Sequence, residues 1–122
     1  IVMMLCVLLS SCTQIPPPLE KTFYQIKATP YVLHEWDCSN KCSLYLKKLK
    51  EAGYEAQIHI FSTRGKYNHA VVWVDNCYFC PTSGFVFKEV WEVNSMYGGE
   101  FKRILKDWEL KSIITREWSN ER

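Results

Sequence analysis

The stretch "DCSNKCSLYLKKLKEAGYEAQIHIF", Asp37–Phe61, decides the fold. Cys42, Tyr45, Leu46 and Leu49 recur at i, i+3, i+4 and i+7, while Lys47, Lys48, Lys50 and Glu51 fill the other side, the pattern of an amphipathic helix. Asp37 suits the N-cap and Gly53 the C′ position, so Cys38 falls in the first helical turn. Beyond Gly53 the period drops to two. Ala56, Ile58 and Ile60 alternate with Glu55, Gln57 and His59, which predicts a strand with one buried face and His59 on the polar one.

Downstream, "HAVVWV" and "CYFCPT" flank Asp75-Asn76, a two-residue hairpin turn. In that register Val74 faces Cys77, Cys80 lies diagonally from His69 on the same face, and His69 faces Thr82. "FVFKEVWEV" reads as a further strand and "NSMYGG" as a break. "EFKRILKDWEL" reads as a short amphipathic helix through Phe101, Ile104, Leu105 and Trp108, and "SIITREW" fits strand and helix equally. This order predicts an α+β domain, an N-terminal helix packed on a small antiparallel sheet.

Upstream, residues 1–12, "IVMMLCVLLSSC", are uncharged and too few to span a bilayer as a helix. An apolar run followed by small residues has the form of a secretory segment. Leu9-Ser10-Ser11-Cys12 resembles the bacterial lipobox, which implies a lipid on Cys12 and a place in the cell envelope. Thr13, lacking the acid that resembles an inner-membrane retention signal, favours the periplasmic side of the outer membrane. Residues 13–30 hold three consecutive prolines, which favour extended polyproline II, so they read as a tether below a folded domain over 31–122. Five Trp, seven Tyr and six Phe can give so small a domain a dense core. The formal charge of +2 is too small to argue for nucleic acid, and no Lys/Arg cluster interleaved with aromatics appears, so no nucleic-acid partner is expected.

Cys38 carries the first chemistry. A thiol at a helix N-terminus sits against unsatisfied backbone N–H groups and the positive end of the helix dipole, and both favour thiolate. A cysteine nucleophile also needs an imidazole to hold its proton, and His69 opens a strand of the sheet that the helix packs on. The backbone N–H of Cys38 is a candidate oxyanion donor, with Trp36 or Gln25 as a second. Trp73, four residues beyond His69 and on its face, is a cleft candidate.

The ordered set of Cys38 opening a helix, Gly53-Tyr54-Glu55-Ala56, His69-Ala70 on the second strand and Cys80-Pro81-Thr82 resembles the transglutaminase-like family of the papain-like cysteine peptidase superfamily. The resemblance covers Trp36 to Gly84. It implies a papain-like core in which Cys38 is the nucleophile, His69 the base, and an Asp-Pro-Thr motif supplies the acid that orients the histidine. This chain departs at that acid. Cys80 stands in its place with the Thr82 hydroxyl nearby, while Asp75, about 20 Å along the strand from His69, is a turn residue. The resemblance implies a membrane-tethered hydrolase of amide or isopeptide bonds that works through a thioester, its activity lowered by loss of the carboxylate. Its substrate would be a peptide or protein, cell-wall peptide among them, and no cofactor is implied.

Three other readings concern the cysteines. In an oxidising compartment Cys38, Cys42, Cys77 and Cys80 can pair in three ways. A Cys42–Cys80 bridge would staple helix to hairpin and leave Cys38 free, whereas a bridge through Cys38 would disable an enzyme. A four-cysteine zinc domain is disfavoured because residues three apart in a strand point to opposite faces. A non-catalytic binding lipoprotein would keep the scaffold without the acid.

Overall fold

The computed structural model describes residues 15–32, 36–65 and 67–106. The lipobox with Cys12, His34 and the region from Asp107 through Trp108 to "SIITREW" lie outside them. Among the described residues are three helices and one five-stranded antiparallel sheet, an α+β domain. None of these helices is long and apolar enough to cross a membrane.

The chain enters through α1, Pro17–Ala28. The stretch read as a tether is therefore a packed helix. Prolines obstruct a helix where an N–H is needed, but the first-turn N–H groups have no intrahelical partner to lose. Pro16 is the N-cap with Pro17 and Pro18 behind it, and the Pro16 carbonyl accepts from Leu19 and Glu20 at 3.0 and 3.1 Å. Glu20 and Lys27 complement the two ends of the helix dipole. Phe23 and Ile26, one turn apart, are buried, each contributing about 1.5–3 kcal/mol.

Helix α2, Cys38–Glu51, follows the sequence pattern closely. Asp37 caps it, its side chain accepting from Ser39 N and Asn40 N at 3.0 and 3.4 Å, while Asn40 Oδ1 accepts from Asp37 N at 3.1 Å. Beyond the last turn Gly53 takes φ 92°, a left-handed conformation that glycine enters without steric cost.

The strands are β1 (Ala56–Phe61), β2 (His69–Val74), β3 (Cys77–Phe79), β4 (Val86–Phe87) and β5 (Phe101–Ile104), in spatial order β4-β3-β2-β1-β5. The β2–β3 hairpin has the expected two-residue turn. Asp75 and Asn76 have φ of 52° and 62°, and the pairs run Val74↔Cys77, Trp73↔Tyr78 and Val72↔Phe79.

Both faces of the sheet are covered. On one, Ala56, Ile58, Ile60, Ala70, Val72 and Val74 meet α1 and α2. On the other, Phe61, Val71, Tyr78 and Phe87 gather with Val93 of the third helix, α3 (Val90–Tyr97). His59 is consequently buried rather than solvated.

Two elements differ from expectation. "FVFKEVWEV" divides into β4 and the start of α3, because Val90, Val93 and Tyr97 recur at helical spacing and Glu92 Oε1 accepts from Glu89 N at 2.9 Å. Gly98, at φ 72°, then ends α3 directly after Tyr97. The stretch expected to be a helix through Phe101 and Ile104 is instead the edge strand β5. Ser62 N donates to Glu100 O and Glu100 N to Ser62 Oγ, both at 2.8 Å, which guides the chain alongside β1. So short a helix gains little alone, whereas the edge of β1 offers a ready ladder.

Candidate functional site

Cys38, at the N-terminus of α2, and His69, first residue of β2, come together. The imidazole hydrogen-bonds both the Cys38 and the Cys80 thiols, and His69 Nε2 lies 3.2 Å from Cys80 Sγ. Cys38 is 8% exposed and Cys80 fully buried, so of the two residues only Cys38 keeps any exposure to solvent. Burial alone would push the imidazolium down. Hydrogen bonds to Cys38 and Cys80, and the negative charge of those sulfurs, outweigh it and raise the His69 pKa to about 9.

Cys80 reaches His69 because β3 stops at Phe79 and the chain folds into a tight loop. Cys80 N donates to Phe85 O at 2.9 Å and Gly84 N to Cys80 O at 2.8 Å. The same loop takes Thr82 away from the imidazole expected to face it, and Thr82 Oγ1 is buried without a hydrogen-bond partner. Its neighbour supplies the polar contact instead, with Ser83 N donating to Cys80 Sγ at 3.4 Å.

Tyr97, from α3, completes the surroundings. Its ring lies 4.0 Å from that of His69, its hydroxyl donates to Cys80 Sγ at 3.0 Å, and Ser83 Oγ is 3.2 Å from that hydroxyl. Burial pushes the Cys80 thiol up, but the hydrogen bond and charge of His69, with the bonds from Ser83 and Tyr97, bring its pKa down to about 6. Burial and then the Cys80 charge push the Tyr97 phenol upward, so it stays a donor. Tyr97 and Ser83 were missed in the sequence because "FVFKEVWEV" read as a strand and no spacing ties either residue to His69.

Cys42 and Cys80 are free thiols, not the bridge considered between them. Cys42 Sγ donates to Ala70 O at 3.2 Å, which ties α2 to β2 beside His69, and Cys80 is turned toward the imidazole. Cys77 is disulfide-bonded, whereas Cys38, Cys42 and Cys80 are free thiols. That removes Cys77 from any four-cysteine zinc set. Among the described residues no group of three or more His, Cys, Asp or Glu is arranged to hold a metal ion.

The remaining candidates separate from the site. Trp36 Nε1 donates to Thr29 Oγ1 at 2.7 Å, so that indole is already engaged. Gln25 is exposed on α1. Trp73 shares a face with His69 but lies near the hairpin turn, where it borders surface hollows of about 300 and 520 Å³ whose linings include neither Cys38 nor His69. Asp75 is exposed in the turn. Two unforeseen neighbours adjoin Cys38. The Tyr31 hydroxyl accepts a hydrogen bond from the Cys38 backbone. Lys41, 1% exposed, donates through Nζ to Thr29 O at 2.7 Å and Lys27 O at 3.3 Å, at the C-terminus of α1.

Compared with known proteins, the chain matches no family model, no curated protein and no solved structure.

Proposed function

We propose that this domain is a transglutaminase-like cysteine hydrolase on a papain-like core, acting on amide or isopeptide bonds. One observation carries the reading: Cys38, at a capped helix N-terminus, shares the His69 imidazole with Cys80. Cys38 attacks the carbonyl carbon as thiolate. The oxyanion meets the Cys38 backbone N–H, which now bonds the Tyr31 hydroxyl. His69 gives its proton to the departing amine and a thioester remains on Cys38. Water, or an amine in its place, attacks the thioester, His69 takes its proton, and the thiolate returns. Cys80 touches no substrate in this scheme and holds the imidazole in place. Peptides or proteins of the cell envelope, cell-wall peptide included, are the substrate class.

The test is alkylation by iodoacetamide near neutral pH, with each cysteine followed by mass spectrometry. Cys38 should label first, and His69→Ala should slow it by at least about tenfold. Equal, slow labelling of Cys38, Cys42 and Cys80 would sink the reading.

A non-catalytic binding lipoprotein is the second reading. The exposed apolar side chains around α3, Trp91 at 68% with Met96, Val90 and Phe85, favour it. It predicts that Cys38→Ala leaves ligand capture intact, whereas the hydrolase loses turnover.

A further inference from the structure

Cys80 has an unusual set of neighbours for a buried thiol. Ser83 N can only donate, and the Tyr97 hydroxyl, at 3.0 Å, is placed to donate as well. His69 Nε2 completes the set at 3.2 Å. A neutral thiol brings one weak donor and one weak acceptor and satisfies such a shell poorly, while a thiolate accepts from all three. The sulfur is fully buried, so water cannot stand in for any of them.

We infer that Cys80 is a resident thiolate that does the work of the missing carboxylate, and that Tyr97 is the positioning residue that holds it in that state. This inference rests on the hydrolase reading for its purpose, but on the hydrogen-bond geometry for its substance.

Cys80 releases its proton to solvent, as a carboxylic acid would, and the Cys38 proton passes to His69, leaving one imidazolium between two sulfurs. Nε2–H then points at Cys80. Tyr97 acts twice, since its ring packs the imidazole at 4.0 Å while its hydroxyl feeds the sulfur. Ser83 Oγ, 3.2 Å from that hydroxyl, steadies its direction. The other ionisable groups around the sulfur are Cys38, across the shared imidazole, and Lys41, a cation in α2 whose charge also favours thiolate. Cys42 faces away toward Ala70 O.

The experiment is a pH titration of the full chain with isotope-labelled cysteine. Nuclear magnetic resonance at Cβ follows each sulfur separately, without mutation. Cys80 should be mostly thiolate at about pH 7.5, a unit below the ordinary thiol midpoint. A Cys80 that is mostly thiol at that pH overturns the inference.

Tyr97→Phe keeps the ring and removes the hydroxyl. It should move the Cys80 midpoint up by about one pH unit and carry the acid limb of Cys38 alkylation with it. A limb that stays put reduces Tyr97 to packing and overturns its role. Cys80→Asp restores a carboxylate, so Cys38 reactivity at neutral pH should stay within a few-fold while the acid limb moves down. Cys80→Ser should lower that reactivity by about tenfold or more. If Cys38 fails to label selectively although Cys80 titrates low, the hydrolase reading falls and the thiolate stands. The reverse outcome removes the thiolate alone.

Discussion

Replacing His59 with phenylalanine should remove a large part of the domain's acid sensitivity. The His59 ring is stacked 5.8 Å from Trp73 with 13° between planes, and it meets Tyr78 and Phe101 edge-on at 5.4 Å each. Nε2 lies 3.0 Å from Gln57 Oε1, while Nδ1 is buried without a partner. Burial in this aromatic layer lowers its pKa from 6.5 to about 4. In the unfolded chain the group takes up its proton near pH 6.5. Between that pH and 4 the unfolded state binds more protons, so stability is whole above 6.5 and drains away as pH falls toward 4. A gap of about 2.5 units at about 1.4 kcal/mol per unit amounts to about 3 kcal/mol. For a small domain that is a substantial share of the total. The assay is urea unfolding of the protein and His59→Phe at pH 7, 5.5 and 4. Carboxylates, Cys80 and His69 titrate alike in both chains, so the difference isolates His59. At pH 7 the two should agree within about 1 kcal/mol, since losing the Gln57 contact is offset by removing a stranded nitrogen. By pH 4 the variant should lead by about 3 kcal/mol. Curves that fall in parallel from pH 7 to pH 4 would refute the assignment of His59 as a buried neutral imidazole.

Two further outcomes are expected. Asp37→Ala removes acceptors for Ser39 N and Asn40 N and should cost about 1 kcal/mol by thermal unfolding, with slower Cys38 alkylation. Asp37→Asn keeps the cap and should restore most of both. Gly99→Ala places a methyl onto the carbonyl group of Ser62, where backbone would have to move, and should destabilise by about 2 kcal/mol or more in the same assay.

Local patterns carried the centre of this fold into the sequence, and non-local contacts carried the rest. The reading of α2 succeeds because cap, period and terminal glycine agree within one segment, and the Asp75-Asn76 turn succeeds because two residues suffice to set it. That turn fixed the β2–β3 register, so Cys80 was placed beside His69 before its loop was known. The reading of α1 failed through a rule applied too broadly, since proline excludes helix interiors but not first turns. The exchange of strand and helix between Val90 and Ile104 had another cause. β5 exists because Ser62 and the edge of β1 lie alongside it, a contact thirty-eight residues away in the chain. His59 was read as solvated because alternation shows which residues share a face, not whether something covers it.

That exchange also bears on the site. With residues 85–93 as a strand, Cys80 would have only His69 and the Ser83 N–H beside it, and an ordinary thiol is mostly protonated at neutral pH. Such a sulfur can steer an imidazole but cannot offset its charge, which is the basis for expecting weak activity. As a helix, the segment ends on Tyr97 and delivers the phenol that donates to Cys80, with Ser83 supporting it from the loop. In the proposed hydrolase, the thiol at Cys80 and the helical course of α3 are therefore one feature. A sulfur can stand in for a carboxylate only where its charge is stabilised by fixed donors, and α3 supplies one of the two outside the imidazole. Under the proposed function, a thiolate in the place of the acid should then narrow the working range rather than abolish it. A carboxylate would hold its charge well below pH 6, whereas Cys80 regains its proton near that value and His69 loses its own near 9. The site is poised between those limits, and the Tyr97 hydroxyl sets how far down the lower one lies.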